Sequence, residues 1–178
     1  MIKGFIFREA YLQMAIHSIK SIQKIPAPID QVWEFFSSHT NLQTITPPGM
    51  GFNIISQNVH NKLHEGQIIE YKVRPLFNIP LYWMTEIRNV NAPFYFMDEQ
   101  RKGPYSIWQH QHIFRTIDGG TEMTDLVLYK NPFGIIGELG NVLFVRKKLK
   151  AIFLFRFNRI DEIFGKWDGK QEAEINMS

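Results

Sequence analysis

Gly103-Pro104-Tyr105-Ser106-Ile107-Trp108-Gln109-His110-Gln111-His112-Ile113-Phe114 reads as a turn running into a strand. Side chains alternate between the two faces of a strand. Trp108, His110, His112 and Phe114 therefore share one face, and Ile107, Gln109, Gln111 and Ile113 share the other. Two imidazoles set between two aromatic rings are an odd choice for a face that only fills a core. An apolar surface interrupted by a few convergent polar groups is how small-molecule pockets are built. The stretch points to a strand whose inner face borders a cavity.

The segments on either side should pair with it. Residues 94–100 precede it across Arg101-Lys102-Gly103-Pro104, and residues 121–130 follow it across Asp118-Gly119-Gly120. Connections this short imply antiparallel neighbours. The faces then carry through: Phe96, Asp98 and Gln100 sit with Trp108, His110 and His112, and these with Met123, Asp125, Val127 and Tyr129. In this register His112 falls opposite Asp125, with β-carbons about 5 Å apart. That is within reach of an imidazole–carboxylate hydrogen bond, and a slip of one residue would destroy it.

Three roles fit this cluster. Asp98, Asp125 and the histidines can satisfy one another as a buried network that sets strand register. His110, His112, Asp98 or Tyr129 can hold the polar end of an otherwise apolar ligand. His112 can act as a general base whose tautomer is held by Asp125, although no nucleophile, oxyanion hole or cofactor loop accompanies the pair. His-x-His with Asp125 also offers the ligand types of a metal site. A two-residue pattern is not specific, however, so neither a metal nor a cofactor is expected.

Working outward, residues 15–25 place Ile16, Ile19, Ile22 and Ile25 among polar residues, and their Ile content with Pro26 and Pro28 favours a strand. Val32, Trp33, Phe35 and Phe36 form the apolar stripe of a short helix over 30–36. A second short helix over 41–45 ends at Thr46-Pro47-Pro48-Gly49. Strand-like runs come next at 51–57, 67–74, 79–88, 94–100, 105–116 and 121–130, divided by Asn-, Gly- and Pro-rich separators. A long helix is expected over 135–167, with Leu139, Val142, Val145, Leu149, Ile152, Phe153, Ile160, Ile163, Phe164 and Trp167 close to a 3.6-residue repeat. Two short helices cannot cover a curved sheet, so the long one must lie across its concave face. Trp83, Phe96, Trp108, His110 and Tyr129 should line the space between. Residues 1–14 read as a leader outside the core, 15–167 as one domain and 168–178 as a polar, frayed tail.

This order resembles the helix-grip fold of the START, pollen-allergen and polyketide-cyclase (SRPBCC) superfamily. The resemblance spans nearly everything from Ala15 to Trp167. Local motifs are similar to a bacterial branch of ligand-binding proteins, also seen fused ahead of sugar-nucleotide epimerase domains. They are Asn41-Leu42 with Ile45-Thr46-Pro47-Pro48, Pro93 with Phe96 and Asp98-Glu99-Gln100, and Gly103-Pro104 with Trp108, His110, His112 and Phe114. Asp125, Tyr129, Pro132, Gly134 and residues 146–156 continue the pattern. The resemblance implies an α+β helix-grip fold: a curved antiparallel sheet of about seven strands around a C-terminal helix, with two short helices after the first strand. It implies a cavity, which the superfamily uses for lipid carriage, hormone sensing and cyclisation alike.

Composition narrows the rest. At 178 residues the chain can bury a substantial core, and 14% aromatic content with 15 Phe favours cores and cavity walls. A formal charge of +3 is too small to imply nucleic acid. With no Cys, disulfides and thiolate metal sites are excluded, which fits a reducing compartment. The first residues make a poor signal peptide, and a cytoplasmic location is expected. Arg146-Lys147-Lys148-Leu149-Lys150 followed by Ala151-Ile152-Phe153-Leu154-Phe155-Arg156-Phe157 reads as a solvated helix face, or as one that makes weak contact with an anionic membrane surface. His17, His39, His60 and His64 sit in polar contexts and are expected to be exposed. The expected function is non-catalytic binding or carriage of a small, largely hydrophobic molecule. The alternative is a cyclase- or dehydratase-like enzyme using His112 and Asp125. The expected ligand contacts are Trp83, Phe96, Asp98, Gln100, Trp108, His110, His112, Asp125 and Tyr129, with the oligomeric state left open.

Overall fold

A computed structural model describes residues 16–56, 62–74, 79–168 and 171–178. Residues 1–14, read as a leader, and His60 lie outside the described residues. The chain forms β1 (His17–Ile25), α1 (Ile29–Phe36), α2 (Thr40–Thr44), a 3-10 turn (Pro48–Met50) and β2 (Asn53–Ile54). Then come β3 (Ile68–Val73), β4 (Leu81–Asn91), β5 (Tyr95–Lys102), β6 (Ile107–Ile117) and β7 (Gly120–Lys130). α3 (Gly134–Gly140), a π turn (Asn141–Val145) and α4 (Arg146–Phe164) run on as the terminal helix, and β8 (Glu174–Met177) closes the chain. The sheet order is β2-β3-β4-β5-β6-β7-β1-β8, antiparallel throughout. This is an α+β helix-grip architecture.

The strand alternation behaves as the sequence reading requires. In β7 every second residue from Thr121 to Tyr129 is buried, and in β6 His110, His112 and Phe114 are buried. His112 pairs with Asp125, Trp108 with Tyr129, and Phe96 with His112. α1 starts after Pro28, carries Asp30 in its first turn where a carboxylate suits the helix dipole, and buries Val32 and Phe36 one turn apart.

Two apolar clusters fill the grip. One packs Val32, Phe36, Phe96, Phe114, Met123 and Ile160 near α1. The other packs Ile19, Val127, Tyr129, Leu149 and Phe153 under the terminal helix. Along β6 and β7 the residues between these clusters are His110, His112 and Asp125, all buried. The polar cluster thus sits at the waist between two cores.

Two expectations need correction. The tail read as frayed supplies an eighth strand: Glu174–Met177 pairs along β1, with Ile22 opposite Glu174 and Ile19 opposite Met177. Ile175 and Met177 alternate inward onto the second cluster, and the pairing covers a β1 edge whose backbone groups would otherwise lack partners. Gln171 adds to this: its Oε1 accepts from the Lys24 backbone N–H at 2.6 Å and its Nε2 donates to the Lys24 carbonyl at 3.1 Å.

The second correction concerns the terminal helix. Leu149, Phe153, Phe157 and Ile160 face inward, but Leu139 and Val142 are 62% and 68% exposed. The π turn between them explains the change. One extra residue in a turn rotates the helix on its N-terminal side by about 100° relative to the helix on its C-terminal side. The buried position inside that turn is Asn141, which accepts from the Tyr129 hydroxyl at 3.1 Å and lies 3.0 Å from His17 Nε2.

Candidate functional site

A cavity of about 180 Å³ lies between the concave sheet face and the terminal helix. Aromatic rings form much of its wall: Tyr71 stacks on Trp83 at 5.8 Å, and Trp83 meets Trp108 edge-on at 5.2 Å. Phe153 from α4 lies opposite, its ring 5.8 Å from His110. Of the residues expected from sequence, Trp83, Phe96, Asp98, Trp108, His110 and His112 line this space.

Gln100, Asp125 and Tyr129 do not. Gln100 lies toward the end of β5, where its Nε2 donates to the Tyr105 carbonyl at 2.6 Å and holds the β5–β6 turn. Tyr129 packs in the second apolar cluster with its hydroxyl committed to Asn141. Asp125 lies behind the histidines, away from the cavity wall. Two histidines also differ from expectation. His39 is buried and lines the cavity, and His17 is part-buried with Nε2 2.7 Å from Glu138. His64 is exposed, as expected.

The charge cluster is compact. His110 Nε2 donates to Asp125 Oδ1 at 2.8 Å, and His112 Nε2 donates to Asp98 Oδ2 at 3.0 Å. His110 Nδ1 lies 3.4 Å from Asp98. His112 Nδ1 lies 3.0 Å from Asp125 Oδ1 but out of line for a hydrogen bond. The two imidazoles are 3.9 Å apart, and Phe96 stacks on His112 at 4.2 Å. From the helix, Arg156 brings Nη1 to 3.5 Å from Asp125 Oδ1.

Counting charges explains the protonation. Two carboxylates and one guanidinium leave a deficit of one positive charge, which a single imidazolium supplies. Buried charge is tolerated only when compensated. Burial pushes the His112 pKa down, but Asp125 and Asp98, each 3.0 Å from one of its ring nitrogens, outweigh burial and raise it. For His110, burial and the neighbouring His112 charge win over the same carboxylates and lower it. Burial pushes the Asp125 carboxyl up, yet Arg156 and the histidines hold it well below the usual range. Asp98 is lowered against its own burial by His110, His112 and Arg156. The two imidazoles and their carboxylates are coupled and titrate as a unit.

Asp98, His110 and His112 also bring ligand-type atoms within 4.8 Å of one another, a spacing a metal ion could use. Their nitrogens already face carboxylates, and Arg156 provides the positive charge an ion would bring.

Arg156 is a residue of this site that sequence reading missed, having been grouped with the basic run. A signal was present: it lies three residues after Phe153 and four before Ile160, on the inward stripe. Tyr71 was missed as well. It lines the cavity, with its hydroxyl 3.2 Å from Thr85 Oγ1, and burial pushes its pKa up.

No family model matches the sequence, and no curated protein is similar to it in sequence. Solved structures do share the fold. A protein from Mycobacterium smegmatis superposes with a TM-score of 0.59 at 16% identity, over 82% of this chain and 89% of that one. Ara h 8.0201 gives 0.55 at 13% identity, over 84% and 97%. A nucleoside-diphosphate sugar epimerase from Corynebacterium glutamicum gives 0.57 at 21% identity, over 80% of this chain but 28% of that one. The chain thus shares the helix-grip fold of these structures.

Proposed function

We propose that this protein binds a small, largely apolar molecule between the sheet and the terminal helix, without transforming it. The observation that carries the reading is the aromatic-walled cavity with Asp98, His110 and His112 at its edge. The volume bears on size. A cavity of about 150 Å³ accepts a benzene-sized ring, and drug-sized ligands occupy roughly 300 Å³ or more. A compact ring or short branched chain with one polar end fits better than a long-chain lipid.

Acid–base catalysis by His112 with Asp125 has less support. Both ring nitrogens of His112 face carboxylates, Nε2 toward Asp98 and Nδ1 toward Asp125, so neither is presented to a substrate. The bacterial ligand-binding branch and a cytoplasmic location belong to the same proposal. They are supported by the motif pattern, the absence of cysteine and the likeness to part of an epimerase. Among the described residues no helix is long and apolar enough to cross a membrane.

Native mass spectrometry of protein purified from its own host tests the reading, with a retained small molecule as the expected result. Trp83→Ala should then weaken binding about tenfold or more, because it removes an aromatic ring from the cavity wall. Detection of the bare polypeptide alone, with no thermal shift from a panel of small aromatic and branched compounds, would refute it.

A further inference from the structure

The start of the terminal helix is unlike the rest of the surface. Phe133, Ile135, Ile136, Leu139, Val142 and Leu143 are each more than half exposed, Phe133 reaching 81%. Single exposed apolar residues are ordinary, but a contiguous set marks an interaction surface. Arg146, Lys147, Lys148 and Lys150 come directly after, with Lys147 and Lys150 exposed. Glu138 is the only acidic residue between 131 and 157, and it is occupied by His17.

We propose that this segment docks the protein on an anionic lipid surface, with the apolar tip entering the headgroup–acyl boundary and the cations engaging lipid phosphates. Charge and spacing favour this occupant. Leu143 to Lys147 spans about 6 Å of helix axis and Leu139 to Lys147 about 12 Å. With the helix inclined to the surface and its start lowest, that separation sets the apolar residues below the headgroups and the cations level with them. A second copy of the chain fits less well, because a two-fold interface places the same basic surface on both partners and offers its cations no unpaired acidic residue of that segment. The sequence reading placed membrane contact on residues 146–157; the structure adds the apolar element before them, because the π turn rotates that part of the stripe outward. The proposal is independent of the ligand in the cavity.

Flotation of the full chain with phosphatidylcholine vesicles containing about a third phosphatidylglycerol tests it. The protein should float with these vesicles, less so as salt rises and much less with phosphatidylcholine alone. Lys147→Gln with Lys150→Gln should weaken binding roughly twenty-fivefold, at about fivefold per cation. Leu139→Glu should reduce it at least about tenfold, and thermal unfolding should be unchanged in both variants because the side chains are exposed. No flotation of the unmodified protein would overturn the proposal, as would equal flotation of all three forms. So would a solution dimer that Leu139→Glu dissociates, which would assign the face to a second copy.

Discussion

Replacing Arg156 by Gln should destabilise the protein strongly at alkaline pH and much less at acidic pH. Arg156 Nη1 lies 3.5 Å from Asp125 Oδ1, and both side chains are about nine-tenths buried. At an effective dielectric of about 20, unit charges at that distance attract by about 5 kcal/mol. Removing one partner of a buried pair costs roughly 3–5 kcal/mol. The variant keeps two carboxylates and one imidazolium, a net charge of −1, which a proton on His110 would cancel. His110, whose pKa is lowered in the parent protein, should therefore move upward. A histidine with a raised folded-state pKa stabilises the fold below its unfolded value, near 6.5, and that contribution fades as pH rises through the folded value. In the parent the lowered His110 acts oppositely, and stability falls as pH drops through the unfolded value. Both effects narrow the gap in acid. A pKa raised by about one unit returns about 1.4 kcal/mol. Urea unfolding followed by tryptophan fluorescence near pH 8 and near pH 5.5, with NMR titration of the ring protons, measures it. An equal deficit at both pH values, with His110 titrating as in the parent, would refute the charge-balance account.

Asp125→Asn should lower the His112 pKa, since Asp125 helps hold it up. The stability that His112 contributes below about pH 6.5 and loses through its raised folded value should shrink accordingly; an unmoved His112 titration would argue against the pairing. Gly120→Ala should cost roughly 1–3 kcal/mol in urea unfolding, because the added β-carbon collides with the Ile25 backbone oxygen, and a neutral result would place that turn wrongly. Ile175→Asp should strip β8 from β1 and speed hydrogen exchange of the β1 amides facing it by about tenfold or more, whereas unchanged exchange would mean the strand pairs without its apolar anchor.

The strand pattern around the site was legible because β-structure has a period of two and short turns force antiparallel neighbours. Tyr105 to Phe114 and the two flanking runs were enough to place His112 opposite Asp125. The requirement that a long helix close the concave face came from there being no other element to cover it. These inferences are local, or one hairpin away from local.

Tertiary structure decided what depends on phase and depth. The inward position of Arg156, and with it the charge balance around Asp125, depends on how α4 is rotated about its axis. The outward turn of Leu139 and Val142 depends on a π turn that no apolar repeat reveals. Gln100 and Tyr129 share the cavity face by alternation, yet the turn backbone and Asn141 claim them. The polar tail became β8 because β1 had an open edge and an apolar cluster beside it. A sequence sets which face of a strand a residue occupies through the backbone repeat. The neighbours that residue meets there are set by side chains far away along the chain, which come together only when the layers pack.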